Sequence, residues 1–249
     1  MAYAAYPSLK DRIVFITGGA SGIGASFVEE FHAQGAKVAF VDLQEAAGRA
    51  LADRLAGSWF QTCDVTDAAA LQGAIAAAGQ ALGPITVLVN NVANDTRHKA
   101  VETTPEAWRK GLAVNLDPTF IASVAVQPMM VQAGGGSIVN ISSINAILGP
   151  ADLSTYVAAK GAINALSKTL AREWGEQRIR VNVISPGWVV TERQLELWLT
   201  PQAEADWEKL TALKDRIQPG DIARMALFLA ADDARMITGQ NFIVDAGRT

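Results

Sequence analysis

Arg12–Thr17 reads Arg-Ile-Val-Phe-Ile-Thr and runs straight into Gly18-Gly19-Ala20-Ser21-Gly22-Ile23-Gly24, with a helical stretch over Ile23–Gln34. An apolar run without alternation is what a strand buried on both faces of a parallel sheet requires. The glycines then turn the chain into a helix N-terminus, where backbone N–H groups can approach a pyrophosphate closely. Without Cβ atoms at Gly18, Gly22 and Gly24 the turn can tighten and the helix can lie against the strand. The spacing is G-x-x-x-G-x-G, and no Lys-Ser/Thr pair follows to make a P-loop.

The unit recurs along the chain. Lys37–Asp42, Ser58–Cys63, Ile85–Asn90, Gly136–Ser142, Ile179–Ile184 and Asn241–Asp245 read as strands. Ala46–Leu55, Ala68–Leu82, Thr119–Gln132, Thr155–Glu173 and Asp221–Ala231 read as helices. Asp67 is expected to N-cap the Ala68–Leu82 helix, and Gly35 to end the first. Strand and helix alternating with right-handed crossovers predict an α/β fold, one doubly wound parallel sheet flanked by helices. No linker or internal repeat divides residues 1–249, so one domain is expected. Its irregular part is Trp188–Asp215, rich in Trp and Leu, which is too apolar for a solvated linker and reads as a substrate-covering insertion.

Composition narrows the function. Of 249 residues, 50% are hydrophobic and 18% charged, enough to bury a large core. Lys and Arg number 21 against 25 Asp and Glu, so no basic surplus is available for a nucleic-acid partner. A single cysteine, Cys63, and two histidines, His32 and His98, are too few for a disulfide framework or a metal centre. No run reaches the ~18 to 20 apolar residues of a membrane span, and Met1–Lys10 lacks the apolar core of a signal peptide. A cytoplasmic protein with a small-molecule substrate is expected.

Asp42 ends the second strand, where a carboxylate can accept hydrogen bonds from both adenosine ribose hydroxyls and repel a 2′-phosphate, favouring NAD over NADP. Asp64-Val65, after the third strand, can reach the adenine edge. Tyr156 and Lys160 stand four apart on one helix face. Ser143 precedes them at the end of a strand, Asn115 lies in Val114-Asn115-Leu116, and Pro186-Gly187 follows the sixth strand.

Together these motifs resemble the short-chain dehydrogenase/reductase family over nearly the whole length. The family's T-G-x-x-x-G-x-G falls on Thr17–Gly24, and its catalytic Asn, Ser, Tyr and Lys on Asn115, Ser143, Tyr156 and Lys160. Its P-G-x-x-x-T falls on Pro186–Thr191, with Thr191 on the nicotinamide carboxamide. The resemblance implies a Rossmann-type fold with NAD held by Gly18, Ser21, Gly22, Ile23, Gly24, Asp42, Asp64, Val65, Asn91, Tyr156, Lys160, Pro186, Gly187, Val189 and Thr191. The family's Asn-Asn-Ala-Gly reads here Asn90-Asn91-Val92-Ala93, which adds bulk beside the cofactor.

The implied chemistry asks Tyr156 to take the substrate hydroxyl proton while hydride leaves the same carbon. A phenol of pKa ≈10 is only ~0.1% ionised at pH 7. The Lys160 ammonium and the positive nicotinamide ring are therefore expected to lower it by roughly 3 units. Ser143 would orient the substrate oxygen, Lys160 would hold the nicotinamide ribose, and Asn115 would support a water. The resemblance also implies a homotetramer, with Thr119–Gln132 and Thr155–Glu173 packing across two-fold interfaces through Ala122, Ser123, Ala125, Ala158, Ala159 and Ala162.

For the substrate, Tyr6–Lys10, Asn94–Lys99, Thr191–Gln194 with Trp198 and Thr200-Pro201, and Asp245–Arg248 are similar to bacterial NAD-dependent aldose 1-dehydrogenases. Asn94, Asp95, Arg97, His98, Asn145 and Arg193 supply donors and acceptors around a site walled by Trp188 and Trp198. Polar groups beside flat aromatic faces suit a sugar ring oxidised at C1. The alternatives are an anionic sugar such as a sulfo-sugar held by Arg97 or Arg193, another secondary alcohol or 3-hydroxyacyl substrate, and a non-catalytic NAD-binding scaffold.

Overall fold

The computed structural model describes residues 3–249. In chain order the elements are β1 (Ile13–Thr17), α1 (Gly22–Ala33), β2 (Lys37–Asp42), α2 (Glu45–Arg54), β3 (Trp59–Thr62), α3 (Ala68–Leu82), β4 (Val87–Asn90), α4 (Pro105–Asn115) and α5 (Asp117–Gln132). They continue as β5 (Gly136–Ile141), α6 (Asn145–Leu148), α7 (Ser154–Trp174), β6 (Ile179–Pro186), α8 (Glu192–Leu197), α9 (Pro201–Leu210), α10 (Pro219–Ala230) and β7 (Asn241–Val244). All seven strands form one sheet in the order β3-β2-β1-β4-β5-β6-β7. Every pairing is parallel.

The unbroken apolar strands feed two cores by alternation. On β1, Val14 and Ile16 join Phe27, Phe31 and Leu227 on one face, while Ile13 and Phe15 join Leu71, Ile75 and Met130 on the other. Successive side chains of a strand point to opposite faces, so a strand covered on both sides must be apolar at every position. Asp67 accepts from Ala69 N and Ala70 N as the cap of α3, and Gly35 follows α1 with φ +79°.

The structure adds helices that sequence periodicity did not mark. Both α4 and α9 begin with a Thr-Pro pair: Thr104 Oγ1 accepts from Ala107 N at 3.1 Å, and Thr200 Oγ1 from Ala203 N at 3.2 Å. A capping hydroxyl followed by proline at the first helical position is a strong start signal. The covering segment is therefore not irregular, because α8 and α9 occupy most of it. The six small residues expected at a two-fold interface divide, with Ala158 exposed and Ala125 and Ala162 half-buried. Ala122, Ser123 and Ala159 are buried within the chain, whereas the outward side of α5 carries Phe120, Val124 and Val131. Ala122, Ser123 and Ala159 let α5 and α7 approach the sheet closely.

Strand order reverses between β1 and β4, which run side by side yet continue toward opposite edges. In such sheets the crevice outside the carboxyl ends at the reversal is where ligands bind. This brings the glycine turn beside the loop that leaves β4.

Candidate active site

The glycine turn is closed by its own backbone. Gly18 N and Gly19 N both donate to Val41 O, at 2.8 and 3.1 Å. Gly18 has φ +69°, and a Cβ there would lie 2.9 Å from a Val92 methyl. A Cβ on Gly24 would lie 1.7 Å from Gly18 O, so no side chain fits. Ser21 is extended and makes no side-chain cap, leaving the leading N–H groups of α1 without a side-chain acceptor. This cradle fits a pyrophosphate, the group for which such a turn has room and donors.

Asp42 is nearly buried, and its two oxygens accept from Ala20 N at 2.9 Å and Gln44 N at 3.0 Å. A carboxylate has about four lone-pair sites. The two backbone bonds fix its orientation and leave acceptors for ribose hydroxyls. Gln44 Nε2 donates to Ser21 Oγ at 2.9 Å, tying the end of β2 to the glycine turn. Asp64 accepts from Thr66 N and Oγ1, which holds its carboxyl below the usual range, and Val65 is buried next to it. Asn91 Nδ2 donates to Thr17 O and Gly18 O, bracing the turn from the β4 side.

A cavity of about 290 Å³ opens at the ends of β4, β5 and β6. Ile23, Asn91, Pro186, Gly187, Val189 and Thr191 line it on the expected cofactor side. Gly18, Ser21, Gly22, Gly24, Asp42, Asp64 and Val65 lie beyond it, after β1, β2 and β3. Thr191 also caps α8, accepting from Gln194 N.

Ser143, Tyr156 and Lys160 meet in this cavity. Tyr156 and Lys160 share one face of α7, which Ser142 Oγ pins to the end of β5 by donating to Lys160 O at 2.9 Å. Ser143 lies beside the Tyr156 side chain in the cavity, and its Oγ accepts from Asn145 N at 3.1 Å. Lys160 Nζ lies 5.6 Å from the Tyr156 ring centroid and donates to Ile141 O at 2.7 Å. Lys160 is 1% exposed, with no carboxylate partner among the described residues.

The electrostatics show what burial alone does to this pair. Burial pushes the Tyr156 phenol up to about 12, against the lowering by the Ser143 hydroxyl, and Asp95 adds to the rise. Burial likewise pushes Lys160 down to about 7. Desolvation penalises phenolate and ammonium alike, so the expected fall of the phenol pKa rests on the positive nicotinamide ring that the expectation includes. A further positive charge beside Tyr156 is what the site requires.

Asn115 does not line the cavity. Its Oδ1 accepts from Asn94 N at 2.8 Å and its Nδ2 donates to Asn94 O and Gly111 O, stapling the β4–α4 loop to the end of α4. Of the residues expected at the substrate, Arg97, Asn145 and Trp188 line the cavity with Ser143 and Tyr156, whereas Asn94, His98, Arg193 and Trp198 do not. Asn94 Oδ1 accepts from Thr96 N and Oγ1, and the His98 ring bonds Thr96 O and Ser154 Oγ. Arg193 pairs with Asp95, and Trp198 lies under the Arg97 guanidinium at 4.5 Å. Gln194 and Trp207 line the cavity without having been assigned a role, and Ala93, expected to add bulk beside the cofactor, lines it too. Gln194 stands in the quoted Thr191–Gln194 segment; no local pattern marks Trp207.

Among the described residues, no group of three or more His, Cys, Asp or Glu side chains is placed to hold a metal ion, and no helix is long and apolar enough to cross a membrane.

A family model described as enoyl-(acyl carrier protein) reductase matches residues 18–249. The D-xylose 1-dehydrogenase of Caulobacter vibrioides is 43% identical over 251 residues, covering 99% of each chain. The chain belongs to the short-chain dehydrogenase/reductase family. The D-threitol dehydrogenase of Mycolicibacterium smegmatis is 38% identical over 245 residues, 97% of this chain and 94% of its own. Among solved structures, a 3-oxoacyl-[acyl-carrier protein] reductase from Brucella melitensis superimposes with a TM-score of 0.89 at 34% identity, covering 97% of this chain and 92% of that one. The protein is thus an oxidoreductase of this family, its fold built for a nicotinamide dinucleotide and its relatives including sugar and polyol dehydrogenases.

Proposed function

We propose that this short-chain dehydrogenase uses NAD to oxidise an aldose at C1 to the lactone. The observation that carries the reading is the single cavity that Ser143 and Tyr156 line together with Asp95, Arg97 and Asn145, walled by the indoles of Trp188 and Trp207, which pack edge to face at 5.7 Å. Hydroxyl groups find acceptors and donors there, and the apolar face of a sugar ring finds an indole. The full-length relative named D-xylose 1-dehydrogenase supports it. NAD is favoured because Asp42 is followed by Leu43-Gln44, with no cation to offset a 2′-phosphate.

Bound NAD would supply the hydride acceptor and a positive ring charge beside the phenol. Ser143 holds the C1 hydroxyl, and Tyr156 as phenolate takes its proton as the C1 hydrogen leaves with its electron pair. The C1–O bond becomes a carbonyl, so a cyclic hemiacetal gives a lactone with no further catalytic group. Lys160 holds the nicotinamide ribose and favours the phenolate. Asn115, stapled to Asn94, fixes the loop above the site and supports a water.

Phe120, Val124 and Val131 are exposed together on α5, an apolar face suited to a second copy, and the reading includes a homotetramer built on α5 and α7. The cytoplasm, where the Cys63 thiol stays reduced, is its compartment.

The experiment is initial-rate NADH and NADPH formation with aldoses, alditols, an anionic sugar, hydrophobic alcohols and a 3-hydroxyacyl thioester. An aldose with NAD is expected to give the highest efficiency. Turnover of the alcohol or thioester with no aldose oxidised would overturn the sugar reading, and equal efficiency with both cofactors would overturn the choice of NAD.

A further inference from the structure

The loop after β4 and helix α8, distant in sequence, meet at the cavity. Gln194 Nε2 donates to Asp95 Oδ2 at 3.0 Å, across 99 residues of chain. Arg193 Nη2 donates to Asp95 Oδ1 at 3.4 Å, and Trp188 Nε1 to Gln194 Oε1 at 2.7 Å. Arg97, on the same loop as Asp95, lies over Trp198 in the covering segment. Asp95 and Gln194 both line the cavity shared by Ser143 and Tyr156.

The donor and acceptor inventory is informative. Each Asp95 oxygen has one protein donor, leaving about two of its four lone-pair sites open. Gln194 commits its oxygen and one amide hydrogen, leaving one N–H. The pair thus offers acceptors and a donor together, complementary to neighbouring hydroxyls. Its charge is also felt at Tyr156, where Asp95 pushes the phenol upward, consistent with a place near the reacting centre.

We propose that Asp95, held by Gln194 and Arg193, is the specificity-determining residue that reads a ring hydroxyl beyond C1, and that the same bonds hold the covering segment over the bound sugar. This rests on the sugar reading above and gives it a discriminating group. A hydrogen-bonding site rejects an analogue lacking its hydroxyl because a buried polar group is left unpaired.

The test is a cycle between substrate and variant. Steady-state rates are measured for the best aldose and its 2-, 3- and 4-deoxy analogues with the wild type, Asp95→Ala, Asp95→Asn and Gln194→Ala. The wild type should lose about 10- to 100-fold in kcat/KM on one deoxy analogue. Asp95→Ala should lose as much on the parent sugar and then treat parent and analogue alike. Asp95→Asn should recover part of the loss, and Gln194→Ala should raise KM more than it lowers kcat. NAD affinity, read by calorimetry, should stay within about twofold in Asp95→Ala. Additive losses for every deoxy analogue would overturn the assignment to Asp95 while the sugar reading stands. Weakened NAD binding in Asp95→Ala would also overturn it, by showing a collapsed loop. If no aldose is oxidised, both readings fall together.

Discussion

On the cofactor side of the cleft, the turn after β1 is held by backbone and buried groups: Gly18 N and Gly19 N on Val41 O, Ala20 N on Asp42, and Asn91 on the carbonyls of Thr17 and Gly18. On the substrate side, the loop after β4 and the covering segment are joined by side chains alone, through Asp95, Gln194, Arg193 and the Arg97–Trp198 contact. The Arg193–Asp95 pair is partly exposed, with 54% and 28% of the side chains accessible. Exposed ion pairs stabilise weakly, whereas buried backbone bonds are costly to break. The difference suits a common cofactor held in one geometry and a substrate side whose side chains can vary without disturbing the turn.

Tyr156 stands where the two sides meet, so its substitution should cost most. Tyr156→Phe removes the proton acceptor and leaves the volume, and should lower kcat by at least about 10²- to 10⁴-fold on every substrate. NAD affinity measured by calorimetry should change little, and more than about a tenth of the activity remaining would remove Tyr156 from its role. Asp42→Ala probes the cofactor side alone. It should weaken NAD, relieve NADP, and narrow a preference of about hundreds-fold, while the ranking of sugars stays the same. A changed sugar ranking would break the separation between the two sides.

What could be read beforehand follows the same division. Thr17–Gly24 and Tyr156–Lys160 are local patterns, in which spacing along the chain fixes neighbours in space, and both stand where the reading put them. The loop after β4 and the covering segment were legible only as polar and aromatic composition. Asn94 and His98 satisfy their own loops, while Gln194 and Trp207 reach the cavity through folding of a distant segment. The helices α4 and α9 were missed although Thr104-Pro105 and Thr200-Pro201 announce them, because both are polar on average and bury little: α4 buries only Asn115 and α9 no residue fully. Tyr156's ionisation was legible in part for another reason: the sequence shows the lysine but not the desolvation of both partners.

Lys160 acts on stability instead of turnover and tests that last point directly. Its ammonium is buried without a carboxylate and its pKa falls from 10.5 to about 7. Between these values the unfolded chain binds a proton that the folded chain does not, so this residue makes stability rise with pH from about 7 to about 10.5. Below about 7 both states carry the charge and the burial cost is felt in full. Lys160→Met cannot titrate and fills similar volume. The loss of the bond to Ile141 O adds an offset that does not depend on pH. Urea unfolding of the cofactor-free protein should therefore show the variant gaining most on the wild type at pH 6, with the gain shrinking as pH rises toward 10. The difference between the two curves cancels the other titrating groups, so its slope isolates Lys160. Parallel curves would mean that the ammonium stays charged in the folded protein throughout this range, and that the substrate and cofactor sides share a permanent cation.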